Sequence, residues 1–148
     1  MHAQSVHEAI VRASGARAGM RVVEIGAGLG TLTDHLLATD AEVWAIERDR
    51  DLCAVLRAEL GGRPNLVLHE ADAVRFDYAA AAADQATPPA IVGNLPYQLT
   101  GPLLFVLLDH HAWTGPWVVM VQKEVADRLC SPPGSRAYGG VTAVMSRV

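Results

Sequence analysis

Apolar positions along this chain follow two rhythms. Val6, Ala9, Ile10 and Ala13 recur at helical spacing, whereas Val22, Val23 and Ile25 belong to a short run of the kind found in strands buried on both faces. A glycine turn follows, and Leu32, Leu36 and Leu37 return to the helical period. The exchange then repeats. "AEVWAIERD" predicts a second strand, and "RDLCAVLRAEL" predicts a helix stopping at Gly61 and Gly62, where a left-handed cap forms easily. "NLVLHEAD" predicts a third strand, "AIVGNLPY" a fourth, "GPLLFVLLDHH" a helix with proline near its start, "PWVVMVQ" a fifth strand and "KEVADRL" a last helix before the loop "SPPGSRAYGG". "YAAAAADQATPP" is alanine-rich and then proline-rich, which predicts a weak surface helix and a connecting loop rather than a core element.

Strands alternating with helices at this spacing predict an α/β fold: a mainly parallel sheet with helices on both faces, in the doubly wound, Rossmann-like class. Ligands of such sheets sit beyond the carboxyl ends of the strands, near the point where strand order reverses. The polar residues just after each apolar run are therefore the candidates for chemistry.

Composition narrows the picture. The length of 148 residues suits one domain, and no apolar run in a chain that is 51% hydrophobic approaches the roughly 20 residues of a membrane span. The start, "MHAQSVHEAI", lacks a secretory pattern, so the expected location is the cytoplasm. Cys53 and Cys130 lie far apart with no CxxC and no histidine cluster, which predicts buried reduced thiols and no metal. A net charge of −4 opposes gripping a phosphate backbone by bulk electrostatics, although Arg48, Arg50, Arg57, Arg63, Lys123, Arg128, Arg136 and Arg147 could build a local basic patch.

After the first strand comes "EIGAGLG", with Glu24 followed by Gly26, Gly28 and Gly30. The dinucleotide fingerprint GxGxxG would place its third glycine one step later, so the spacing departs from the pyrophosphate-binding pattern. Glu47 ends the second strand, where a carboxylate can accept from both ribose hydroxyls, and Asp72 follows the third, where it can accept from an adenine amine. Singly, such acids are commonly strand-end or cap residues. In order on successive strands, and with no phosphate motif elsewhere, they point to S-adenosyl-L-methionine, whose cationic sulfonium suits an acidic pocket with Glu24 shaping its floor.

The fourth strand ends in "GNLPY". An adenine amine is a poor nucleophile because its lone pair is delocalised into the ring. Two acceptors for its hydrogens would localise that pair: Asn94 through its side-chain oxygen and Leu95 through its carbonyl, with Pro96 restricting the backbone and Tyr97 stacked on an extruded base. His110 and His111 are read as a polar helix end, and Trp44, Trp113 and Trp117 as packing residues at the sheet.

"VVEIGAGLGTLT", "AIERD", "ADA", "GNLPYQLTGPLLFVLL", "MVQKEVADRL" and "GSRAYGGVTAV", in this order, resemble the ribosomal RNA adenine dimethyltransferases of the KsgA type over nearly the whole chain. The resemblance implies a class I SAM-dependent methyltransferase fold and dimethylation of two adjacent adenosines near the 3′ end of small-subunit rRNA, during assembly of the pre-ribosomal small subunit. It also implies that Gly26, Gly28, Glu47, Asp72 and Asn94 line the cofactor, that Asn94 to Tyr97 hold the target base, and that Gln122, Lys123 and the loop through Tyr138 lie toward the RNA. The family's basic start with its "QNFL" element has no counterpart in "MHAQSVHEAI". Its last two strands, its "FxPxPxVDS" segment and its helical RNA-binding domain have none before Val148. Residues 1–148 are accordingly expected to be a partial SAM-binding domain with an uncovered sheet edge, a recognisable but marginal fold and an open oligomeric state. Three other readings stand beside this one: a SAM-binding or assembly factor without turnover, a small-molecule methyltransferase, and a large-subunit rRNA adenine methyltransferase conferring antibiotic resistance.

Overall fold

The computed structural model describes residues 3–130, with the backbone alone at residues 3–5, 97, 129 and 130. The chain runs α1 (Ala3–Ser14), β1 (Arg21–Ile25), α2 (Thr31–Leu37), β2 (Glu42–Glu47), α3 (Arg50–Leu60), β3 (Leu66–Glu70), α4 (Tyr78–Ala82), β4 (Ala90–Asn94), α5 (Tyr97–Asp109), a 3-10 turn at His111–Trp113, β5 (Trp117–Met120) and α6 (Lys123–Cys130). Five parallel strands form one sheet in the order β3-β2-β1-β4-β5. Strand order reverses at β1, which pairs with β2 on one side and β4 on the other. The expected doubly wound sheet is thus observed, and its crevice lies beyond Ile25 and Asn94.

The two-residue period of the strands divides the core. Val22, Val43 and Val92 face α1 and α2 with Ile10, Leu32, Leu36 and Leu37, while Ala45 packs with Leu56 of α3. Val23, Ile25, Ile46 and Ile91 face the opposite layer with Leu103 and Leu107 of α5. Both faces of β1 are buried, and that strand also carries two ionisable residues, Arg21 and Glu24, at 5% and 1% exposure.

Three local expectations are corrected, the first at Gly61, which ends α3 in right-handed backbone at φ −62° and ψ −17° rather than in a left-handed cap. The alanine-rich helix is a core element: Tyr78 and Ala81 are buried in the α5 layer, and the Tyr78 hydroxyl donates to the Ala73 carbonyl at 2.7 Å. One aromatic ring anchors a turn whose alanines show no apolar period, and Asp77 caps it by accepting from the Ala80 amide. Helix α5 begins at Tyr97, four residues before the predicted start, so Pro102 lies inside it. Its first turn is closed instead by the Pro96 carbonyl, which accepts from the Leu99 amide and the Thr100 hydroxyl, both at 3.0 Å. At the other end, the His110 and His111 rings meet the Val106 and Leu108 carbonyls, as read for a polar helix end.

Arg21 sits at the amino end of the sheet. It donates to the Ala81 carbonyl at 2.7 Å, pairs with Asp84 at 2.7 Å and Glu42 at 3.2 Å, and lies 4.1 Å from the Trp44 ring. It thereby ties α4 to β1 and β2. Cys53 is a free, buried thiol donating to the Glu47 carbonyl, and burial followed by the nearby Glu70 and Glu47 charges raises it above the usual thiol range. Cys130, Arg136, Tyr138, Arg147 and the "GSRAYGG" segment lie outside the described side chains or residues.

Candidate functional site

Beyond the carboxyl ends of β1 to β4 lie two adjoining hollows. The larger, about 310 Å³, is bordered by Gly26, Glu47, Asp72, Asn94 and Pro96, with Ile25, Ile46, Ala71, Ala73 and Leu99 as apolar walls and Arg48 at its side. The smaller, about 210 Å³, is bordered by Glu24, Gly28, Leu29, Thr31, Met120 and His7. Gly26 and Asn94 border both. Every cofactor candidate from the sequence therefore reaches one hollow or the other, and the two residues common to them close β1 and β4.

The glycine loop is held from β2. The amides of Gly26 and Ala27 both donate to the Ile46 carbonyl, at 2.9 and 3.3 Å, and Gly28 donates to Glu47 Oε1 at 2.8 Å. Such a loop needs left-handed backbone, and Gly26 and Gly28 adopt φ of 72° and 59°. Gly30 shares that backbone at φ 90° and serves packing as well: a Cβ there would stand 2.9 Å from both Leu56 and Leu60 of α3.

Three acids occupy three environments. Glu47 is nearly buried and accepts two amides, Gly28 on Oε1 and Asp49 on Oε2 at 2.8 Å. Each oxygen keeps a lone pair for a further donor. Asp72 uses Oδ1 for the Val74 amide at 2.9 Å, and its other oxygen makes no hydrogen bond among the described residues. Glu24 turns under the loop toward α2 and accepts from Thr33 Oγ1 at 2.5 Å. Burial raises its pKa from 4.5 to about 8, against the Thr33 hydrogen bond and with some help from the Glu47 charge. Glu24 thus floors the smaller hollow as a neutral acid at pH 7.

Asn94 is exposed at the end of β4, and its amide makes no hydrogen bond among the described residues. Leu95 next to it is buried, with its N–H donating to the Met120 carbonyl at 2.9 Å, and its own carbonyl has no described partner. Pro96, extended at φ −64° and ψ 147°, leads into α5. Strand pairing to β5 thus fixes the backbone that carries the Asn94 side chain and the Leu95 carbonyl. The Tyr97 side chain lies outside the described residues. Gln122 and Lys123 are exposed just after β5, at the same end of the sheet, and Lys123 pairs with Asp127 at 3.1 Å. Arg57 pairs with Glu70 and Arg63 with Asp34, so these two do not form an open basic patch.

Sequence reasoning named Arg48 only for a basic patch, and it passed over His7 and the apolar walls Ala71, Ala73 and Leu99. Arg48 directly follows Glu47 and was within reach of the strand-end rule. His7 carries one faint signal, its place three residues before the buried Ile10 on the inner face of α1.

A family model described as ribosomal RNA adenine dimethylase matches residues 1–148. The chain belongs to the ribosomal RNA adenine dimethylase family. It is 49% identical over 152 aligned residues to ribosomal RNA small subunit methyltransferase A of Anaeromyxobacter sp. (strain K), which covers 97% of this chain and 53% of the relative. The crystal structure of a dimethyladenosine transferase from Plasmodium falciparum matches with a TM-score of 0.79 at 29% identity, over 96% of this chain and 50% of that one. The 23S rRNA methyltransferase ErmE matches with a TM-score of 0.73 at 26% identity, over 86% and 49%. The chain spans about half the length of these three proteins. Its sheet and helices are those of SAM-dependent methyltransferases, as the sequence led one to expect. Among the described residues, no three His, Cys, Asp or Glu side chains gather to hold a metal, and no helix is long and apolar enough to cross a membrane.

Proposed function

We propose that residues 1–148 form the SAM-binding domain of an rRNA adenine-N6 methyltransferase that dimethylates two adjacent adenosines near the 3′ end of small-subunit rRNA, in the cytoplasm. The observation that carries this reading is the position of Asn94, which borders both hollows and opens the Asn94-Leu95-Pro96 segment.

The donor set fits S-adenosyl-L-methionine. Glu47 and the open oxygen of Asp72 are acceptors suited to ribose hydroxyls and an adenine amine, and Ala71, Ala73 and Leu99 suit the faces of a planar base. Neutral Glu24 lies with Gly28 beside the second hollow, which leaves room for an amino-acid tail without a like charge on its floor. When bound, this cofactor supplies a methyl group on a cationic sulfur.

The chain's own part is orientation. Asn94 Oδ1 and the Leu95 carbonyl accept the two hydrogens of the target amine, which draws the nitrogen toward tetrahedral geometry and frees its lone pair toward the junction at Gly26. No side-chain base is needed, since the amine becomes acidic once alkylated and its proton passes to water. Pro96 keeps the two acceptors in register by restricting the backbone, and Tyr97 is proposed to stack on the flipped base.

Transfer of labelled methyl groups to immature small subunits tests the reading. Methylation by the chain that Asn94→Ala reduces at least about a hundredfold supports it; SAM binding without any transfer would instead favour an assembly factor. The likeness to ErmE supports large-subunit rRNA as the alternative substrate, so naked 23S rRNA belongs in the same assay.

A further inference from the structure

We infer that His7 is a cofactor-binding residue whose Nε2–H donates to the carboxylate of the cofactor's amino-acid end in the smaller hollow. This rests on the SAM-binding reading above. The larger hollow has the acceptors a nucleoside needs, Glu47 and Asp72, and Gly26 and Asn94 form the junction. The amino-acid end then falls in the smaller hollow, where a carboxylate requires donors rather than acceptors.

The side-chain donors there are few. The Gly28 amide is taken by Glu47, and Asn94, whose Oδ1 is proposed to face the target amine, keeps its Nδ2–H2 donors at the junction of the two hollows rather than at the far end of the smaller one. Thr31 offers a hydroxyl, and Glu24 is held by Thr33 under the loop. Among the described residues bordering this hollow, His7 alone carries an imidazole, whose ring N–H is a side-chain donor.

Its tautomer follows from its packing. Nδ1 of His7 is buried and has no hydrogen-bond partner. A buried N–H without an acceptor is the rarer and costlier orphan, so Nδ1 is the bare nitrogen and the proton resides on Nε2. Nε2 has no partner within the described residues either, yet it is not buried, which leaves it as the accessible edge of a ring that borders the hollow. His35 packs on that ring with centroids 5.4 Å apart, and its own Nδ1 is engaged with the Thr31 carbonyl at 2.8 Å. The carbonyl can only accept, so His35 is a donor at Nδ1 and serves as a wall that limits the rotation of His7. A neutral Glu24 carboxyl on the floor leaves an incoming carboxylate unopposed.

Calorimetric titration of this chain with S-adenosylhomocysteine and with 5′-methylthioadenosine separates the two ends, because the second ligand keeps the nucleoside and sulfur but lacks the amino-acid group. His7→Ala is expected to weaken S-adenosylhomocysteine about tenfold while leaving methylthioadenosine unchanged. His7→Gln, which keeps an N–H donor, should stay within roughly threefold of the parent. Unchanged affinity of His7→Ala for S-adenosylhomocysteine, or an equal loss for both ligands, overturns the assignment. Binding of methylthioadenosine but not S-adenosylhomocysteine by the parent chain would overturn it too while sparing the nucleoside site. Binding of neither would remove the SAM reading itself.

Discussion

Gly28 gives its amide hydrogen to Glu47 Oε1 at 2.8 Å, so one carboxylate both borders the larger hollow and fastens the loop that separates it from the smaller one. Replacing Glu47 by alanine removes the proposed ribose acceptor and strands two amides, those of Gly28 and Asp49. The expected result is S-adenosylhomocysteine affinity lower by about a hundredfold and a chain less stable by about 2 kcal/mol, read by calorimetry and urea unfolding. Affinity equal to the parent's would take Glu47 out of the site.

Gly93 opposes Ile25 across the β1–β4 pair, and a Cβ on it would run into the Ile25 carbonyl oxygen, which is backbone and cannot step aside. Gly93→Ala should therefore destabilise the chain by about 3 kcal/mol. Gly62 supplies the contrast, because nothing lies within 4 Å of a Cβ built there. Gly62→Ala should change stability by no more than about 0.5 kcal/mol, and equal losses for the two variants would contradict the close seam.

Much of this was legible in the chain, for a physical reason. Parallel strands need both faces covered, so Val22-Val23 and Ile91-Val92 announce themselves as apolar runs, and parallel direction brings the ends of such runs to one line. Glu47, Asp72 and Asn94 could be brought together on that rule alone. The short helix at Tyr78 could not, since its burial depends on one ring entering a layer made by residues distant in sequence. The start of α5 was hidden by Pro102, which favours a helix start but tolerates an interior position when the preceding turn is closed by Pro96. Glu24 was read as part of the pocket floor, but the finer point, a neutral acid bonded to Thr33, is a product of burial that no pattern encodes. His7 carried only the faint signal of its spacing from Ile10, because its place beside the hollow depends on where α1 docks.

Glu24 makes stability depend on pH. Its folded pKa of about 8 stands above the ordinary 4.5, so the folded state retains a proton that the unfolded chain has lost between those values. The contribution is fully present below 4.5, declines as pH rises through the window and is gone above about 8. Urea unfolding from pH 5 to 9 should show a fall of at most about 1.4 kcal/mol per unit from this group, and Glu24→Gln should flatten it. Parallel slopes for parent and variant would show that Glu24 does not carry the effect.

Arg21 tests the opposite end of the sheet. Its guanidinium is buried between Glu42, Asp84 and the Ala81 carbonyl, against the Trp44 ring, and it borders neither hollow. Arg21→Met should cost about 3 kcal/mol of stability, with S-adenosylhomocysteine affinity within about twofold of the parent's once the variant is folded. A large affinity loss in a folded variant would reveal coupling along β1.

The strand order has a consequence for how the molecule comes together. β1 and β4 belong to opposite halves of the chain, and their pairing is the one step in the sheet that cannot be made by neighbours in sequence. Closing it requires the longer loop and the larger entropy loss. Both hollows open onto this seam through Gly26 and Asn94, so a chain with only β1 to β3 assembled lacks one wall of each. Occupancy and seam closure are one equilibrium: ligand at a hundred times its Kd adds about 2.7 kcal/mol to the closed state, and amide exchange in β1 and β4 should slow together when it is present. On the proposed reading the ligand is thereby a clasp between two halves of a sheet, besides being the source of a methyl group.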